Sequence, residues 1–183
     1  MPSNPSLDAL LAREQIDTFP DWPADLGRTL IEIDPGLFAT EPIEASPWDL
    51  TAWQTRLLRD ETDHAICGFA GYGVQSYAFH LFVRYGPLVL MVQTAWGAYQ
   101  SAGEQAASAS GAIGLANTLL ALAQQVRSRS QWPAGQTLLV VDSDFAQSGW
   151  AWIGSDDRAT APALRGSTLG AINALEDLAD PLP

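Results

Sequence analysis

The sequence predicts an α+β fold: one domain over residues 1–183, with a central, largely antiparallel sheet and helices packed on its faces. Two observations carry that expectation. Residues 74–96, VQSYAFHLFVRYGPLVLMVQTAW, read as two apolar strands joined at Gly86-Pro87. The helical periods stand before and after groups of strands instead of alternating with each strand, as antiparallel neighbours require. A chain of 183 residues is long enough to bury a substantial core.

Taken in order, Ser6 caps a short helix over about 7–15, with Leu7, Leu10 and Leu11 inward. Residues 17–28 are loop, because two prolines flank Asp21-Trp22 and proline removes a backbone donor. Ile31 and Ile33 alternate with Glu32 and Asp34 in a short edge strand that stops at Pro35-Gly36. Ser46-Pro47-Trp48-Asp49 starts a helix, with a capping serine and proline at the first helical position. Leu50, Trp53 and Leu57 line its face to about Arg59.

Residues 64–73 form a strand ending in a glycine-rich bend. In the next strand Phe79, Leu81 and Val83 share one face, and His80, Phe82 and Arg84 the other. Its partner from Leu88 is apolar on both sides at its start, so it belongs in mid-sheet, covered above and below. Gly86 suits a turn that needs φ > 0. A long helix follows over 104–129, with Leu115, Leu119, Leu122 and Val126 as its stripe. Gly111 and Gly114 are expected to allow close approach to the sheet, and Trp132-Pro133 to end the helix. TLLVVD (137–142) and WAWI (150–153) are strands around the loop SDFAQSG, with Trp150 and Trp152 on one face. A last helix over 167–179 turns Leu169, Ile172, Leu175 and Leu178 inward.

Charge is the most informative number. All nine basic residues are arginine and the net charge is −12, unevenly spread. Residues 1–63 carry −9, residues 64–141 carry +2 and residues 142–183 carry −5. Acidic ends around a neutral-to-basic centre argue against nucleic acid and membrane as partners, since both demand Lys/Arg clusters. They suit a basic protein partner. No apolar run approaches the roughly 20 residues that span a bilayer. The N-terminus lacks a basic segment followed by an apolar one, and the single cysteine, Cys67, excludes an intramolecular disulfide. A cytoplasmic location is expected.

No catalytic or metal motif is complete. His64, Cys67 and His80 are the candidates for base, nucleophile or soft ligand, but no further partner stands at a recognisable spacing. They are read as structural. Asp142-Ser143-Asp144, with Asp156 and Asp157, follows a buried strand where carboxylates can hold Mg²⁺. A turn closed by side-chain hydrogen bonds is the favoured reading. No cofactor is expected. Among seven tryptophans, Trp22 lies between prolines in an acidic loop, and tryptophan is enriched in binding hot spots.

GFAGYGVQSYAFHLFVRYGPLVLMVQTAWGAY (68–99) resembles the central sheet of small bacterial immunity proteins, which neutralise polymorphic or interbacterial toxins. The resemblance covers about a sixth of the chain. It implies a cytoplasmic, acidic, non-enzymatic partner of a toxin, and no family site residues to carry over. The expected contacts are Asp17, Asp21, Trp22, Asp25, Glu41 and Glu44, supplemented by Asp156 and Asp157. Two alternatives stay open. One is an enzyme or ligand-binding domain with a pocket near Cys67, His80 and Asp142; the other is an adaptor or chaperone for a secreted effector.

Overall fold

The computed structural model of the chain describes residues 50–59, 63–72, 76–97, 102–155 and 163–180. The predicted helix at 7–15, the strand at 29–34 and the Ser46-Pro47 helix start lie outside them. Three helices and five strands are described: α1 (Leu50–Arg59), β1 (His64–Tyr72), β2 (Ser76–Tyr85), β3 (Leu88–Gly97), α2 (Ala102–Ser128), β4 (Gln136–Ser143), β5 (Gly149–Gly154) and α3 (Thr168–Ala179).

The strands form one sheet in sequence order, β1-β2-β3-β4-β5. Every neighbouring pair is antiparallel except β3 and β4, which run parallel. That exception follows from the connection. A parallel pair needs a crossover of a dozen residues or more, and the 27-residue α2 supplies it. The fold is therefore α+β with one β-α-β unit set into an antiparallel meander. At the outer edge, Arg165 pairs with Trp150 through two backbone hydrogen bonds of 2.8 and 2.9 Å.

Helices cover both faces. On one, Phe79, Leu81 and Val83 of β2, Leu88, Leu90 and Val92 of β3, and Leu138 and Val140 of β4 pack against α2 and α3. On the other, Phe82, Val89, Met91, Leu139, Val141, Ala151 and Ile153 pack against Trp53, Leu57 and Leu58 of α1. Trp53 stacks at a tilt on Phe82, 5.1 Å between centroids. The buried Arg84 guanidinium donates to the Leu57 carbonyl at 3.0 Å and so ties the last turn of α1 to β2. Burial on both sides explains the continuous apolar run that opens β3. Gly86 in the β2–β3 turn has φ 51°, as the turn demands.

Four expectations about the helices change. The buried side of α2 is Ala112, Ala116, Leu119, Leu120, Ala123 and Val126, with Leu115 and Leu122 only half-buried beside it. Alanines thus bring the helix close to the sheet. Gly111 and Gly114 are exposed, and a Cβ on either would meet nothing within 4 Å. The helix stops before Trp132-Pro133. The Gln131 N–H reaches back to the Val126 carbonyl and the Ser130 N–H to that of Arg127, both at 3.0 Å. This is a Schellman termination, with Ser130 at φ 57° in the place usually held by glycine. In α3 the buried line is Ala171, Leu175 and Ala179, at spacings of four. Leu169 lies two residues before that line, about 160° around the helix, and is 62% exposed.

Candidate functional site

The polar residues buried in the sheet are brought together by register. His80 of β2 lies opposite Gln93 of β3, and Gln93 lies beside Ser143 of β4. All three sit on the α1 side, one row beyond the apolar row Phe82, Met91 and Val141. His80 and Gln93 are at most 1% exposed and Ser143 is 7% exposed.

A directed chain of hydrogen bonds connects them. The Phe145 amide donates to Ser143 Oγ at 3.0 Å, and Ser143 Oγ donates to Gln93 Oε1 at 2.9 Å. With Oε1 so occupied, the Gln93 amide nitrogen faces His80 Nδ1 at 2.8 Å. Nδ1 therefore accepts, and the network assigns the ring proton to Nε2. Burial pulls the His80 pKa from its usual 6.5 down to about 3, so the imidazole stays neutral. The Phe82 ring meets it edge-on at 5.8 Å.

The chain ends in the loop between β4 and β5. Ser143 N–H donates to Ser148 Oγ at 3.0 Å, and that hydroxyl donates to the Ser143 carbonyl at 3.2 Å. Asp144 joins the loop to β3: its N–H donates to the Gln93 carbonyl at 3.1 Å, and its Oδ2 accepts from the Ala95 N–H at 2.8 Å. The carboxylate that follows β4 thus ties the loop to β3, and the serines Ser143 and Ser148 close the turn. Asp142, half-buried, falls on the opposite, α2–α3 side, beside Val92 in the register. Burial raises its pKa, and the neighbouring Asp144 carboxylate raises it further.

His80 and Asp142 therefore do not come together. Cys67 lies opposite Leu81 in the β1–β2 register, and the position opposite His80 belongs to Gly68. The expected partner contacts Asp17, Asp21, Trp22, Asp25, Glu41, Glu44, Asp156 and Asp157 lie outside the described residues. Gln93 is the residue that sequence reasoning passed over, yet a signal was there. It stands six places after Pro87 and His80 six before Gly86, so a tight turn makes them neighbours.

Among the described residues, no three His, Cys, Asp or Glu side chains group as a metal site. No described helix is long and apolar enough to cross a membrane. The chain matches no family model, and comparison with curated proteins and with solved structures finds no match.

Proposed function

We propose that this chain is a non-enzymatic immunity protein that binds a cognate bacterial toxin in the cytoplasm and neutralises it by covering its active site or an essential surface. One observation carries the reading: the net charge of −12 is concentrated toward the two ends of the chain, around a nearly neutral centre. Two polar side chains of that centre, His80 and Gln93, are buried in the sheet with Ser143. His80, Gln93 and Ser143 bond to one another inside the sheet. The excess carboxylates of the two ends complement a basic partner, such as an enzyme that acts on nucleic acid. Asp17, Asp21, Asp25, Glu41, Glu44, Asp156 and Asp157 supply the charge and Trp22 an apolar contact.

The test is co-expression. The gene beside this one is expressed alone and together with this chain, and survival is scored. Rescue by the chain, with a complex recovered from the purified proteins, supports the proposal. A toxic neighbour that kills equally in both cases defeats it.

A second reading has its own observation. Asp142 is held toward its protonated form beside Asp144, at the carboxyl ends of the parallel pair β3 and β4. Strand carboxyl ends are where open sheets bind ligands, and displaced pKa values mark functional carboxylates. Asp142→Asn separates the two readings, because a toxin-binding protein keeps its rescue activity and an enzyme built on Asp142 loses its own.

A further inference from the structure

The loop between β4 and β5 is held far more firmly than a simple reversal of the chain requires. Three fastenings converge on it. Asp144 clips it to β3 by backbone and side chain, Ser148 closes it on Ser143, and the Phe145 amide rests on Ser143 Oγ. Beneath it, the buried chain Ser143–Gln93–His80 extends the support across three strands. Those three polar residues lie one row from Phe82, Met91 and Val141, where apolar side chains would serve stability at least as well. What a satisfied polar network adds is a single conformation.

That conformation presents Phe145. It is 40% exposed, and among the described residues it and Leu169 are the two large exposed apolar side chains. Phe145 follows Asp144, which is exposed, while Leu169 stands in a helix with no acid in its first turn. An aromatic side chain on a braced loop loses little freedom when it is buried in a partner, which is how preorganised surfaces gain affinity. The carboxylate beside it favours a basic rim around the receiving pocket.

We infer that residues 144–148 form a preorganised recognition loop, in which Phe145 inserts into an apolar pocket rimmed by basic side chains on the protein partner. The inference rests on the toxin-binding reading and names a contact surface for it.

The probe is a catalytically inactive form of the toxin encoded beside this gene, titrated against the wild-type chain and its variants. Phe145→Arg weakens binding by ~100-fold, the scale of a hot-spot residue, mainly through faster dissociation. Leu169→Arg changes it by less than about threefold, the scale of a rim contact. Hydrogen exchange shows the 144–148 amides more protected in the complex than in the free chain, and this arm needs no variant to fold. Equal affinity of wild type and Phe145→Arg, or no added protection at 144–148, overturns the recognition loop and leaves the toxin reading standing. No binding by the wild-type chain overturns both.

Discussion

Gln93 donates its side-chain amide to Nδ1 of His80 at 2.8 Å, and this contact fixes the histidine as a neutral acceptor inside the sheet. With the pKa of His80 lowered to about 3, the folded state refuses a proton that the unfolded chain accepts below about 6.5. The contribution is fully present above 6.5 and is lost as pH falls from there toward 3. The slope reaches about 1.4 kcal/mol per pH unit for one proton. Denaturant midpoints from pH 7 to pH 4 should show this loss in the wild type. His80→Gln should be less stable at pH 7 and flatter with pH. Equal slopes in the two proteins would mean that His80 titrates normally in the fold.

Asp142 gives the opposite sign. Its folded pKa is raised, first by burial and then by Asp144, so the folded state holds the proton more tightly than the unfolded state. Ionisation of Asp142 therefore opposes folding above the carboxylate range and ceases to do so at acid pH. Asp142→Asn should raise Tm at pH 7, and the gain should vanish by about pH 3, where an ordinary carboxylate is protonated. A gain that persists at low pH would assign the effect to something other than charge.

The glycines of the two long helices should respond in contrary ways. Gly111→Ala and Gly114→Ala meet open space on an exposed helix, and each should stabilise by about 0.5–1 kcal/mol. At Gly170 a Cβ would stand 2.6 Å from Trp150 Nε1. Gly170→Ala should cost about 1–3 kcal/mol through overpacking. Thermal unfolding measures all three, and replacement of Trp150 by a smaller aromatic residue should recover most of the Gly170→Ala loss.

The proposed toxin contact yields a kinetic prediction. Complementary charge acts mainly on association and fades with salt, while buried aromatic contacts act on dissociation. Neutralising Asp21 and Asp25 together should slow association with the toxin by about threefold to tenfold at low salt and flatten its salt dependence. Trp22→Ala should chiefly speed dissociation. An association rate indifferent to both salt and these changes would reduce the excess carboxylates to a solubility device.

What was legible in the sequence follows the strength of the physical signal. The hairpin around Gly86-Pro87 was readable, because strands buried on both faces leave an unbroken apolar run and the turn glycine needs φ > 0. The ranges of β4, β5, α2 and α3 were readable within about two residues for the same reason: period and punctuation agree. The inward face of α2 was blurred because leucine dominates hydropathy, whereas close packing on a sheet selects alanine, as Ala112, Ala116 and Ala123 show. Ser130 hid the helix stop, since nothing marks serine as left-handed until its two capping hydrogen bonds are seen. At the site, the turn expected over Asp142, Ser143 and Asp144 begins only at Asp144, because Asp142 and Ser143 still belong to β4 and pair with β3. The hairpin spacing already set Gln93 opposite His80, but the Ser143 link did not show, because β4 reaches Gln93 only through the parallel register across α2.

The parallel contact between β3 and β4 is also the most long-range pairing in the sheet. β1, β2 and β3 close as successive hairpins, and β4 and β5 as another, each with neighbours close in sequence. Leu88 and Leu138 stand side by side in the sheet with a 27-residue helix between their strands, so that seam closes a much longer loop. Contacts so distant in sequence form late and slow the overall rate. Local pairing builds the two antiparallel parts of the sheet, and only the long-range seam across α2 joins them.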